Sequence, residues 1–269
     1  MGTDILLVGC GNMGFAMLQG WLGKAGMTFH VVEPEDDLRR RAQDAGAAVY
    51  DAAGRLPAGL APELVFLAVK PQVMSDVAPQ YQSLAGGHAT FVSVAAGVTI
   101  ATLASLLPGP TPIIRCMPNT PAAIGRGMLV STANNHVGEA ARRLADDLLA
   151  ASGKTAWIDD DGLMDAVTAI SGSGPAYLFH FIECLEKAAV SLGLAPELAG
   201  ELSLQTVAGA GELAARSETP PSVLREQVTS PGGTTAAALG VLMADRALET
   251  LMVKAATAAR DRGVELGQA

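Results

Sequence analysis

Two short stretches have residue types and spacing suited to holding anions on bare backbone: Ser230-Pro-Gly-Gly-Thr-Thr235 near the end of the chain and Val8-Gly-Cys-Gly-Asn-Met-Gly14 near its start. The first interrupts helical sequence with a proline, two glycines and two hydroxyls, more than a plain turn requires. Pro231, Gly232 and Gly233 leading into Thr234, Thr235 and Ala236 have the form of a helix N-terminus. Its unpaired N–H groups bind a carboxylate without needing arginine.

The second stretch is a G-x-G-x-x-G. Gly9 permits a tight turn, Gly11 lets backbone approach a pyrophosphate, and Gly14 lets a helix pack closely on a strand, with Cys10, Asn12 and Met13 between them. The motif is weak alone and stronger where it joins a first strand to a first helix. Glu33 ends the second expected strand, where an acid meets the adenosine ribose hydroxyls and favours NAD. Arg39, Arg40 or Arg41 could instead turn toward a ribose 2′-phosphate, so NADH and NADPH both stay open. Three more loops fall at strand ends and line the same expected crevice: Ala68-Val69-Lys70-Pro71-Gln72, Ser93-Val94-Ala95-Ala96-Gly97 and Met117-Pro118-Asn119-Thr120-Pro121. Ala95, Ala96 and Gly97 offer a smooth wall for a flat ring, and Lys70, at a strand end before a proline, is either an ordinary exposed lysine or one that faces the cofactor.

These loops need a scaffold, and the first half of the chain supplies its pattern. Ile5–Val8, His30–Val32, Leu64–Val69, Thr90–Val94 and Pro112–Arg115 are β-like runs separated by Ala-rich amphipathic segments. Strands apolar on both faces and alternating with helices predict a parallel, doubly wound α/β sheet of Rossmann type. Gly127–Thr132 and Lys154–Ile158 would add edge strands. After Asp159-Asp-Asp-Gly162 strand signals stop, and 176–193, 196–216 and 244–263 read as long helices. The expected organisation is a dinucleotide-binding domain over 1–160 and an all-helical domain over 161–269.

Composition narrows the functional classes. The 269 residues suffice for a large core, and a formal charge of -9 argues against nucleic acid as partner. Cys10, Cys116 and Cys184 have no metal-ligand spacing and fit reduced thiols, and no metal site is expected. Leu7-Val-Gly-Cys10 resembles a lipoprotein cleavage box, but Asp4 stands where a positive n-region belongs, and no apolar run approaches a membrane span. A soluble cytoplasmic protein is expected.

Five phrases in this order and spacing resemble the pyrroline-5-carboxylate reductase family over essentially the whole length: Val8–Gly14, Ala68–Gln72, Met117–Pro121, Ser171-Gly-Ser-Gly-Pro-Ala-Tyr177 and Ser230–Thr235. The resemblance implies hydride transfer from NADPH or NADH to the C=N carbon of 1-pyrroline-5-carboxylate, giving L-proline. It implies a homodimer with interleaved helical domains, in some members a larger assembly of dimers. It also implies that Ser230, Gly232, Gly233, Thr234 and Thr235 bind the substrate, with Thr235 nearest the ring nitrogen and catalytic as an orienting hydrogen bond. Members often carry a small polar residue and then a basic one after the second strand, which suits NADPH; here Glu33-Pro34 stands there.

Helix capping is the competing purpose for Thr234 and Thr235. His180 is a lone histidine on an apolar helix and receives no role. A β-hydroxyacid dehydrogenase of the same architecture would need a lysine in the helix opening the second domain, and none lies between Ser171 and Glu186. Another imine reductase remains an alternative, as does a non-catalytic dinucleotide sensor, which would have no use for Ser230–Thr235.

Overall fold

The computed structural model describes residues 2–87 and 89–268; Met1, His88 and Ala269 lie outside the described residues. The chain divides into two compact units, Met1–Ser173 with Ala259–Ala269, and Gly174–Ala258.

The first unit is built on eight strands: β1 (Thr3–Val8), β2 (Met27–Val32), β3 (Ala48–Tyr50), β4 (Leu64–Leu67), β5 (Thr90–Ser93), β6 (Ile113–Met117), β7 (Gly127–Ala133) and β8 (Gly153–Trp157). They form one sheet in the order β3-β2-β1-β4-β5-β6-β7-β8. Its helices are α1 (Asn12–Trp21), α2 (Asp36–Asp44), α3 (Met74–Val77), α4 (Ile100–Leu106), α5 (Glu139–Leu149) and α6 (Met164–Val167). Side-chain alternation along the strands divides the core between two faces. Ile5, Leu7, Leu64 and Phe66 join Trp21 and Leu148 on one face. Leu6, Val8, Val65 and Leu67 join Phe91 and Leu103 on the other. Strands buried on both sides cannot alternate polar and apolar residues, which is why they read as continuous apolar runs.

Two features depart from the sequence reading. β3 is a three-residue, half-buried edge strand, too short to signal itself. β7 runs antiparallel to β6 while β8 is parallel to β7, so the sheet is mostly parallel. The reversal is made by a 3-10 turn over Thr120–Ile124 that ends on Gly125 in the left-handed region (φ 68°).

The second unit contains α7 (Gly174–Ser191), α8 (Pro196–Arg216), α9 (Pro221–Gln227), α10 (Thr234–Leu242) and the start of α11 (Ala247–Gln268). From Gly174 to Ala258 only Ala199 and Ser203 are buried among the described residues. Phe179, Leu192, Leu204, Leu213, Val241 and Leu251 are all exposed in the single chain. The last turns of α11 belong to the first unit, where Gly267 approaches the carbonyl of Gly97 and Gly263 approaches Asp165. The sequence reading divides the chain at 160/161, whereas compactness divides it at Ser173/Gly174 and returns 259–269 to the first unit. No helix of the described residues is long and apolar enough to cross a membrane.

Candidate active site

The strand order reverses between the parallel neighbours β1 and β4, and the carboxyl ends of these strands carry the glycine loop and Ala68. Gly9 donates to the carbonyl of Val32 (2.9 Å), and Ala68 donates to that of Val8 (2.8 Å). Gly9 has φ 86°, and a Cβ there would stand 2.8 Å from the Ala68 oxygen. At Gly14 a Cβ would meet the Gly9 oxygen at 2.4 Å, so α1 can lie this close only without one. Gly11 is different: nothing stands within 4 Å of its Cβ position. The helix behind it makes its first bond from Phe15 to the Gly11 carbonyl (2.9 Å), leaving the N–H groups of Asn12, Met13 and Gly14 outside the helical ladder. An anion approaching Gly11 therefore meets open space and the positive end of α1. The residues present fit the pyrophosphate of a dinucleotide.

A crevice of about 540 Å³ begins at this loop and brings together Gly9, Gly11, Glu33, Ala68, Val69 and Lys70. Glu33 is only 6% exposed. Its carboxylate is fixed at both oxygens, accepting from the N–H of Cys10 (2.7 Å) and of Glu35 (3.0 Å). A carboxylate has about four acceptor positions, so two remain for ribose hydroxyls. The Cys10 side chain is fully buried. Burial pushes its thiol up to about 11.

A second hollow in the same unit, about 710 Å³, is lined by Pro71, Ala96, Gly97, Thr168, Ser173 and Arg262 among others. Ala95 is buried and is not among the residues lining this hollow. Asn12 and Met13 face a third, smaller hollow beside Thr120. Asn119 lines none of these: its Oδ1 accepts from Met128 N–H (2.9 Å) and its Nδ2 donates to the Ser171 carbonyl (2.9 Å). Arg115, 3% exposed, pairs with Asp161 (2.9 Å) and reaches Asp165 (3.7 Å), fixing the segment that leads to α6.

In the second unit, Gly233 is the N-cap of α10, and no side chain caps that helix. Thr234 and Thr235 are its first two residues, so they do not cap it. The first helical bond runs from Ala237 to the Gly233 carbonyl (3.1 Å). The N–H groups of Thr234, Thr235 and Ala236 are left over, and among the described residues neither threonine hydroxyl has a hydrogen-bond partner. Gly232 holds φ 69°, and Gly233 donates to the Ser230 carbonyl (3.0 Å), which shapes the approach to the helix. His180, on α7, contacts Glu183 and is exposed.

The chain is 38% identical over 265 residues to pyrroline-5-carboxylate reductase from Pseudomonas aeruginosa, covering 98% of this chain and 97% of that one. The chain belongs to the pyrroline-5-carboxylate reductase family. The family model for pyrroline-5-carboxylate reductase dimerisation matches residues 161–266, and that for coenzyme F420-dependent NADP oxidoreductase matches 4–97. A solved pyrroline-5-carboxylate reductase from Coxiella burnetii superposes with a TM-score of 0.92 at 32% identity, covering 99% of both chains. The Plasmodium falciparum pyrroline carboxylate reductase, solved with NADP bound, gives 0.80 at 27% identity, covering 98% of both.

Beyond the expected residues, Glu35, Asp51, Gln80 and Tyr81 also line the crevice. None belongs to a motif. Asp51 follows β3, the strand too short to announce itself, and Gln80 and Tyr81 lie in a 3-10 stretch (Ala78–Leu84) without helical periodicity.

Proposed function

We propose that this chain reduces 1-pyrroline-5-carboxylate to L-proline with NAD(P)H, the last step of proline biosynthesis. The carrying observation is the N-terminus of α10: three backbone N–H groups and two hydroxyls without partners among the described residues, in a chain whose relatives are reductases along nearly its whole length. Charge-assisted hydrogen bonds contribute roughly 1.5–3 kcal/mol each, so two or three donors reach the scale of millimolar carboxylate binding.

The nicotinamide cofactor, when bound, supplies the hydride. The protein's task is orientation and electrostatics. The glycine loop and the N-terminus of α1 hold the pyrophosphate, and Ala95, Ala96 and Gly97 form the wall for the ring. Ser230, Gly232, Gly233, Thr234 and Thr235 receive the substrate carboxylate, with Thr235 orienting the ring nitrogen. A threonine hydroxyl is a poor net acid, so the proton arrives with the substrate as iminium or through water. Hydride addition to the C=N carbon then breaks the π bond, and its electron pair ends on nitrogen. No Lys or Arg lies between Ser171 and Glu186, which suits C=N rather than C=O reduction.

The working form we propose is a homodimer with interleaved helical domains. The apolar side chains of α7, α8, α10 and α11 are exposed in one chain, and a second copy would cover them. A cytoplasmic setting suits the three free cysteines.

The direct test incubates the protein with 1-pyrroline-5-carboxylate and either NADH or NADPH. One proline should form per cofactor oxidised. Folded protein that turns over with neither cofactor overturns the proposal.

A further inference from the structure

We infer that this enzyme is selective for NADH over NADPH, with Glu33 as the residue that sets the preference. The inference deepens the reductase reading and rests on it for the identity of the cofactor class.

Four observations converge at the carboxyl ends of β2 and β3. The first is the state of Glu33. It is buried, yet lines the crevice, and its carboxylate cannot swing away without abandoning the N–H groups of Cys10 and Glu35. Ribose hydroxyls can donate to its remaining lone pairs, whereas a 2′-phosphate brings acceptor oxygens and negative charge to an oxygen already negative.

The second is the company Glu33 keeps. Glu35 and Asp51 line the same crevice, so that end of it carries three carboxylates. Lys70 is the cation among the described lining residues, and it follows β4. β1 stands between β2 and β4, which separates those strands by roughly 10 Å at the usual interstrand spacing. Lys70 is therefore on the wrong side of β1 to neutralise a phosphate beside Glu33.

The third is the employment of the arginines of α2. Arg39 donates from Nη1 to the carbonyls of Glu33 and Pro34 (2.9 Å each), and its Nη2 pairs with Asp36. Arg41 donates to the carbonyls of Cys10 (2.8 Å) and Gly11 (3.3 Å), its guanidinium 4.0 Å from the centre of the Phe15 ring. Both guanidinium groups thus brace the glycine loop and the turn after β2; turning either toward a ligand would strip those carbonyls of their donors. The exposed pair Arg40 and Arg55 is directed at Asp37 (3.6 Å) and Asp51 (3.9 Å).

The fourth is Pro34. It follows Glu33 directly, and it has neither a charge nor an N–H to offer a phosphate. The NADP held by the Plasmodium relative belongs to a chain 27% identical to this one, which leaves the residues after β2 free to differ.

Juxtaposing like charges in a binding site costs enough for discrimination of at least about tenfold. The test is calorimetric titration of the purified protein with NAD+ and NADP+, and with adenosine 5′-monophosphate and adenosine 2′,5′-bisphosphate, which isolate the 2′-phosphate from the rest of the cofactor. NAD+ should bind at least about tenfold tighter than NADP+, and the monophosphate tighter than the bisphosphate. Glu33→Gln, which keeps an acceptor for one of the two backbone N–H groups, should shrink both ratios. Equal or tighter binding of NADP+ by the unsubstituted protein overturns the inference, whatever the variant does. Preference for NAD+ without turnover of 1-pyrroline-5-carboxylate by either reduced cofactor would uphold the selectivity and defeat the reductase reading, so the two failures are distinguishable.

Discussion

Asn119 donates from Nδ2 to the carbonyl of Ser171 at 2.9 Å while its Oδ1 accepts from Met128, so one side chain ties the loop after β6 to β7 and to the π-helical segment Thr168–Gly172. The sequence reading makes Asn119 a cofactor ligand; its position as a brace adds a structural role. Removing a partner of two backbone groups costs about 1–3 kcal/mol where burial denies them water. Asn119→Ala should lower the urea midpoint accordingly, with the m-value unchanged. Asn119→Asp keeps the acceptor for Met128 but sets a carboxylate oxygen against the Ser171 carbonyl in place of the donor, and should lose at least as much. Equal midpoints for all three proteins would show that the brace is idle.

The glycines of the first loop separate folding from binding. Gly11→Ala meets no protein atom within 4 Å, so its thermal stability should stay close to that of the parent while its methyl projects where the pyrophosphate approaches. Cofactor affinity should fall at least about tenfold, read by calorimetry. Gly14→Ala meets the Gly9 oxygen at 2.4 Å and should lose stability as well as binding. If Gly11→Ala bound cofactor as the parent does, the loop would have been assigned the wrong task.

The doubly wound sheet was legible because each inner strand is apolar on both faces and each is followed by a loop of Gly, Pro or Ala. β3 was illegible because Ala48–Tyr50 has three half-buried residues whose neighbours decide their conformation. The antiparallel β7 depends on a 3-10 turn, a feature that periodicity does not encode. At the site, the glycine loop and Ser230–Thr235 announced themselves by residues that only backbone geometry explains. Glu33 could be found from its place after β2, but the diversion of Arg39 and Arg41 to backbone carbonyls could not. Which acceptor a flexible guanidinium selects depends on long-range placement, here Arg41 reaching a loop 31 residues away.

Two thiols carry a pH signature. Burial pushes Cys10 up to about 11 and Cys116 up to about 12, above the ordinary thiol value of 9.0. For a group whose folded value is raised, the stabilisation is fully present below the unfolded value and is lost as pH rises through the folded one. Stability should therefore decline from pH 9 to about 11 through Cys10 and to about 12 through Cys116, components that Cys10→Ala and Cys116→Ala respectively reduce, measured by urea unfolding at fixed protein concentration. At pH 8 neither thiol should react with a disulfide reagent until the protein is unfolded.

Arg115 is a charge that its surroundings must keep paired. It is buried, with Asp161 and Asp165 as partners, and Asp161 also accepts from the N–H of Ile100 (3.2 Å). Asp161→Ala removes both links and should cost about 3 kcal/mol, near the low end for breaking a buried pair because both carboxylates are partly exposed. Chemical denaturation reads it directly; a loss below about 0.5 kcal/mol, the level of an ordinary surface substitution, would mean that Asp165 replaces Asp161 without strain.

Thr235 is where the assignment of the substrate is most exposed to refutation. It is the second residue of α10, its hydroxyl has no partner among the described residues, and the proposed chemistry gives it the ring nitrogen. The decisive measurement is the rate of nicotinamide absorbance loss with 1-pyrroline-5-carboxylate, for the parent enzyme and for Thr235→Val, alongside cofactor affinity. With one charge-assisted hydrogen bond removed, kcat/KM should fall about ten- to a hundredfold while cofactor Kd is unchanged. An unchanged kcat/KM in the variant, or a loss confined to cofactor binding, would contradict the role given to Ser230–Thr235.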